Sequence, residues 1–136
     1  MVRQSRLKVF FDGGCQPNPG AMEVAVVVRG QSYFFDDLGH GTHNDAEWLA
    51  LIKALEVAQG LGTEAFDLIG DAAMVIAQAN GTGSCPAALC HHREQFLALT
   101  ASNAPTRIRW IGRAQNLAGI ALEKRRAGRR QSSSAL

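Results

Sequence analysis

The sequence predicts an α/β fold: a mixed five-stranded sheet, made of an antiparallel three-strand meander plus parallel strands, flanked by helices. Two observations predict it. Three short β-rich runs, Leu7–Phe11, Met22–Arg29 and Ser32–Leu38, follow one another with turn chemistry between them. Helical and strand patterns then alternate to the end of the chain, an order that lays the later strands parallel and puts helices against the sheet.

Leu7–Phe11 is an apolar run with polar flanks, and Met22–Arg29 reads Met-Glu-Val-Ala-Val-Val-Val-Arg, whose β-branched residues suit a strand. Gly30-Gln31 forms a tight connection to Ser32–Leu38. Asp45–Gln59 is a helix with Ala46, Leu49, Ile52, Leu55 and either Leu51 or Ala58 on its apolar side, ended by Gly60. Ala65–Ile69 is a short buried strand, and Ala72–Asn80 a short helix that stops at Asn80-Gly81. Thr82–Pro86 is a loop, and Pro86 or Ala87 opens a helix running to about Ala101. Thr106–Ile111 alternates polar and apolar residues as a strand, and Gln115–Arg126 is the last helix. Residues 1–126 form one domain, and 127–136 a flexible, basic and serine-rich tail.

With 136 residues the chain is long enough to bury a core, and its 46% hydrophobic and 19% charged content excludes a disordered protein. No apolar run reaches the ~20 residues of a membrane span. The short positive stretch before Leu7 does not make a signal peptide, so a cytoplasmic protein with no membrane association is expected. A monomer is the working expectation. Three cysteines fit a reducing compartment without a disulfide framework. Cys85, Cys90, His91 and His92 raise zinc, but Cys-x₄-Cys-His-His lacks a second separated pair, and adjacent helical residues point in different directions. The net charge of +2 hides an asymmetry: Lys124, Arg125, Arg126, Arg129 and Arg130 are five of 14 basic residues, and the remainder sets nine against 12 acidic ones. That tail, with Arg107, Arg109 and Arg113, is expected to supply most attraction for phosphate.

Three carboxylates stand at the ends of apolar or helical patterns: Asp12, Glu47 and Asp71. A carboxylate at the end of a buried element is costly unless a positive group pairs it, and Mg²⁺, which takes oxygen ligands, is the simplest partner. Each also has a local reading. Asn44 and Glu47 fit a capping box, Asp71 a helix cap, and Asp12 a turn through Gly13-Gly14. In the predicted element order the three converge at one edge of the sheet, where open α/β sheets bind ligands.

Asp12-Gly13-Gly14-Cys15-Gln16-Pro17-Asn18-Pro19-Gly20 resembles the first motif of the type 1 ribonucleases H. Thr42-His43-Asn44-Asp45-Ala46-Glu47 resembles the second, Ile69-Gly70-Asp71-Ala72-Ala73-Met74-Val75-Ile76 the third, and Arg113-Ala114-Gln115-Asn116 with Ala121-Leu122 the last, in members with Arg in place of His. The likeness runs from about Leu7 to Glu123 and implies a ribonuclease H-like fold. It implies a hydrolase that cuts the RNA strand of RNA–DNA hybrids with two Mg²⁺ ions, Mn²⁺ serving as substitute, held by Asp12, Glu47 and Asp71. Gly13, Gly14, Asn18 and Asn44 would contact ribose 2′-hydroxyls, and Arg113 would steer or release the cleaved phosphate. Ala73 cannot make the polar contact often found two residues after the third acid.

The likeness breaks where a fourth carboxylate belongs, because Ile120 stands there. Glu123, one turn on, points back toward Ile120 along the helix and either supplies the missing oxygen or is a solvated residue paired with a nearby arginine. An active nuclease is therefore expected, the alternative being a catalytically weak or inactive module that binds hybrids or RNA.

Overall fold

The computed structural model describes residues 6–134, with side chains to Arg130; the first five residues and the last two of the tail lie outside the described residues. Strand β1 (Leu7–Cys15) pairs antiparallel with β2 (Gly20–Val28), which pairs with β3 (Gln31–Phe35), giving the predicted meander. Arg29 and Gly30 both have positive φ, the signature of a two-residue hairpin whose twist matches that of its strands. The turn is thus Arg29-Gly30, one residue earlier than expected. β5 (Phe66–Gly70) lies parallel to β1, and β6 (Arg107–Trp110) parallel to β5, so the order is β3-β2-β1-β5-β6. A two-residue strand β4 (His40–Gly41) is a sixth, unpredicted strand and pairs antiparallel with β2.

Period-two alternation sorts the sheet's side chains between two faces. Val9, Phe11, Val24, Val26, Val28, Phe66 and Leu68 enter the main core. There they meet α1 (His43–Gly60), with α2 (Ala73–Asn80) and α3 (Cys90–Leu99) beyond it. α1 is buried nearly all round rather than along one stripe, and Trp48, absent from the expected apolar face, is at its centre. The Trp48 indole N–H donates to Gln78 Oε1 at 2.9 Å, and its ring meets Phe96 edge-on at 6.1 Å. On the other face, Phe10, Ala25 and Val27 pack against Ala118, Ala121 and Leu122 of α4 (Leu117–Ser134).

Two helices have bounds other than expected. α3 starts at Cys90, not at Pro86, because Leu89 and Cys90 donate to the carbonyls of Pro86 and Ala87 in i→i+3 turns. α4 starts later and ends later than expected. Arg113–Gln115 is a 3₁₀ turn, and Asn116 caps the helix by accepting from the Ala118 amide at 3.1 Å. The helix then continues through residues 127–134, where a frayed tail was expected. Arg126 and Arg129 donate to Glu23 of β2, and Arg125 to Asp36 beyond β3. These ion pairs hold α4 to the sheet, so three of the five tail cations are already neutralised. Among the described residues no helix is long and apolar enough to cross a membrane.

Candidate active site

Asp12 follows Phe10 by two residues, so alternation turns it to the α4 side of β1, near the strand's end. β1 runs on through Cys15, and no turn begins at Asp12. Its carboxylate is 2% exposed and accepts from Arg113 Nη1 at 2.8 Å. The same nitrogen reaches both oxygens of Asp71, just past β5, at 3.4 Å. Asp71 caps nothing, since the residue preceding α2 is Ala72, without a side-chain cap. Instead Asp71 Oδ1 accepts from Asn116 Nδ2 at 2.6 Å, and that amide also donates to the Phe11 carbonyl at 3.0 Å. Asn116, fully buried, therefore ties β1, Asp71 and the start of α4 together.

Glu47 is on the first turns of α1 and is released from capping. The N-cap is Thr42, not Asn44, and its box partner is Asp45, not Glu47. Glu47 Oε1 pairs with His43 Nε2 at 3.2 Å, while its Oε2 is buried with no partner. Burial pushes the Asp12 carboxyl up to about 7, helped by the charges of Glu47 and Asp71 and opposed by Arg113. Burial also raises Glu47 against the pull of His43, and the hydrogen bond to Glu47 raises His43. Two buried acids whose ionisation is opposed by burial and neighbouring charge, with Asp71 beside them and one Glu47 oxygen orphaned, form an oxygen donor set suited to a hard divalent cation.

The other expected site residues are placed less uniformly. Gly13 is buried in β1, and a Cβ there would meet the Ala46 carbonyl oxygen at 2.2 Å, so α1 can approach only a glycine. At Gly14 a Cβ would stand 2.9 Å from Arg126 Nη2 and 3.5 Å from the His43 ring. Both glycines have packing reasons. Asn18 Oδ1 accepts from the His43 amide at 3.0 Å, joining the loop after β1 to α1. Asn44 makes no side-chain hydrogen bond among the described residues.

Glu123 lies at the rim. It is 70% exposed and reaches Arg113 Nη2 at 3.8 Å, which matches the arginine-paired reading of this residue. Ile120 is 43% exposed. The α4 residue that approaches the acids is Gly119, where a Cβ would lie 3.1 Å from Arg113 Nη1 and 3.5 Å from Asp12 Oδ2. Sequence reasoning missed Gly119, Asn116 as an anchor, and His43. His43 had a signal, its i,i+4 spacing to Glu47 on one helix face.

A parallel-extended α/β sheet with carboxylates gathered at one edge, from β1, α1 and the end of β5, defines the class of ribonuclease H-like folds. The family described as reverse transcriptase-like matches residues 10–125, and the chain belongs to that family, as a member of its ribonuclease H group. A ribonuclease HI of Halobacterium salinarum is 38% identical over 84 residues, 58% of this chain and 42% of that protein, so the chain matches under half of that relative's length. The crystal structure of RNase H1 from H. salinarum NRC-1 superposes with a TM-score of 0.78 at 30% identity, covering 87% of this chain and 94% of that one. The N-terminal RNase H domain of Rv2228c from Mycobacterium tuberculosis, solved as a fusion with maltose-binding protein, gives 0.71 at 25% identity over 84% and 92%. LC11-RNase H1, crystallised with an RNA/DNA hybrid, shares the fold with a TM-score of 0.73 at 22% identity over 82% and 89%.

Proposed function

We propose that the chain is a divalent-metal-dependent endoribonuclease that hydrolyses the RNA strand of RNA–DNA hybrids. The observation that carries this reading is the convergence of Asp12, Glu47 and Asp71 from three separate elements, with a buried Glu47 oxygen left without a partner. Those three carboxylates would hold the metal. When bound, a pair of Mg²⁺ ions, with Mn²⁺ as substitute, supplies the Lewis acidity that lowers the pKa of the attacking water and stabilises the leaving oxygen.

The chain's own groups position the rest. Asn116 fixes the Asp71 carboxylate through its 2.6 Å hydrogen bond, and His43 fixes Glu47. Arg113 presents its guanidinium to Asp12 and Asp71 and is half exposed, so it can exchange a carboxylate for a non-bridging phosphate oxygen as substrate arrives. Asn44, with its amide unengaged, is the best placed of the expected residues to bond a ribose 2′-hydroxyl. Water adds to phosphorus as the P–O3′ bond breaks, leaving a 5′-phosphate and a 3′-hydroxyl.

A second reading, a hybrid-binding module of little activity, draws on Gly119 and Ile120 at the place where α4 would otherwise offer a carboxylate. One experiment separates the two. An end-labelled RNA–DNA hybrid is incubated with the protein in Mg²⁺ and in Mn²⁺, beside Asp12→Asn, with binding measured in parallel. RNA cleavage to 5′-phosphate ends, lost in Asp12→Asn, is the expected result. Binding without cleavage in either metal favours the module, and neither binding nor cleavage overturns both.

A further inference from the structure

Outside the carboxylate centre, one cluster of potential metal ligands bridges α1 and α3. Asp45, on the first turn of α1, places Oδ1 2.9 Å from Nε2 of His92, on the first turn of α3. His91 joins them, and one ligand atom from each of the three lies within 4.8 Å of the others. The His91 and His92 rings lie 3.9 Å apart, so these adjacent residues do not diverge as helical spacing suggested. The third ligand comes from 47 residues before His92, which is why the local Cys-x₄-Cys-His-His pattern gave no site. The cysteines stay out of it: Cys90 Sγ donates to the carbonyls of Cys85 and Pro86, and Cys85 Sγ to Gln78.

We propose that Asp45, His91 and His92 form a second metal site, selective for a borderline transition ion of the Zn²⁺ class, that fastens α3 to the first turn of α1. Three features support it. Two ligands at about 2.1 Å from an ion, seen at an angle of 90–110°, stand roughly 3.0–3.4 Å apart, so the 2.9 Å contact between Asp45 and His92 is already near ligand spacing. The second oxygen of Asp45 accepts from both the amide and the hydroxyl of Thr42 at 2.9 Å, which fixes the carboxylate as an outer hydrogen bond fixes a metal ligand. His92 is 6% exposed, so burial holds its ring in place with Nε2 turned to Asp45. Coordination would use the ring as a neutral ligand.

The donor set decides the ion. Two imidazoles and one carboxylate suit Zn²⁺, Co²⁺ or Ni²⁺, whereas Mg²⁺ seeks oxygen alone. Exposed His91 leaves one side open, so water completes the coordination shell. The two nearby helix N-termini add positive potential, which sets the affinity below that of a closed four-ligand site. The site does not depend on the nuclease reading.

Co²⁺ titration in excess Mg²⁺ tests it, because Mg²⁺ occupies all-oxygen sites and leaves imidazoles free. One equivalent of Co²⁺ should give the intense visible bands of a four- or five-coordinate ion, displaced by Zn²⁺, with Zn²⁺ alone raising the melting temperature. Exposed His91→Ala should fold normally and lose about tenfold or more in Co²⁺ affinity, and His92→Gln should lose the bands. Asp12→Asn should keep them. Weak six-coordinate bands, or bands that survive His91→Ala and vanish in Asp12→Asn, would show an ordinary aspartate–histidine pair and overturn the proposal.

Discussion

Asp12→Asn should make the metal-free protein more stable at neutral pH while removing its nuclease activity. The Asp12 carboxyl is 2% exposed, and burial, with Glu47 and Asp71, moves it from its ordinary 3.8 to about 7. At about 1.4 kcal/mol for each tenfold change in proton affinity, that rise amounts to about 4 kcal/mol of destabilisation once the group is ionised. The sign follows from proton uptake. Between pH 4 and 7 the folded chain binds this proton more tightly than the unfolded chain does, so stability falls as pH rises through that window. Glu47 and His43, both raised, add to the fall in the same direction. Three groups move the other way. Asp36 is held low by Arg125, and Glu23 and Asp45 are held low, against the pull of burial, by Arg129 with Arg126 and by Thr42 with His92. Their stabilisation disappears only as pH falls below the ordinary carboxylate range, outside this window. Urea unfolding at half-unit steps from pH 5 to 8, in EDTA, measures the slope. The parent should lose stability steadily, Asp12→Asn should lose much less, and added Mg²⁺ should restore the parent but not the variant. Parallel pH curves for the two proteins would refute the reasoning, because they would mean that Asp12 carries no ionisation penalty.

Three further changes test other parts of the structure. Truncation before Arg125 should cost roughly 1–3 kcal/mol in urea unfolding, since it leaves Glu23, mostly buried, without either arginine; the Arg125–Asp36 pair, largely exposed on the acid's side, adds little. An unchanged unfolding midpoint would restore the frayed-tail reading. Gly13→Ala should cost about 3 kcal/mol by forcing a Cβ against the Ala46 carbonyl, while Gly60→Ala, with open space around it, should cost nothing; equal midpoints for the two variants would contradict the packing argument. In single-turnover hybrid cleavage, Arg113→Ala should be slower by about 100-fold, and Glu123→Gln by less than about threefold, because an exposed pair at 3.8 Å contributes little. A steep loss in Glu123→Gln would instead mark Glu123 as a working ligand.

The strands were legible because alternation and β-branching leave a local trace, and β2 shows this most clearly in its run Val24–Val28. The three acids were legible through their positions at element ends. What stayed hidden depends on contacts distant in sequence. Asn44 fits a cap by residue type, and only the fold shows that Thr42 takes that position with Asp45, which frees Glu47 for the site. The basic run 124–130 has the composition of a solvated end, and nothing in it announces that Glu23 and Asp36, about 100 and 90 residues away, will hold it as helix. Trp48 escaped the helical pattern because α1 is covered on several sides, so no single stripe predicts its core.

The fourth position shows how local pattern and tertiary geometry combine at the site. The sequence marked Ile120 as the break in the family pattern. The structure adds that Gly119, one residue earlier, is where the α4 backbone approaches the acids and that Arg113 fills the space beside it. A larger residue at 119 would collide with the guanidinium, and a smaller one does not exist, so Gly119 and Arg113 depend on each other. The guanidinium in turn lowers the cost of holding Asp12 and Asp71 together, offsetting part of the repulsion that raises Asp12. A positive side chain that stabilises the carboxylate pair also competes with any cation for the same oxygens. Arg113 is half exposed, and beyond Asp12 and Asp71 its partner among the described residues is the exposed Glu123. On the proposed nuclease reading, metal entry and substrate arrival would be coupled at one guanidinium, and the fourth acid's absence would leave that residue, rather than a carboxylate on α4, to set the charge balance of the site.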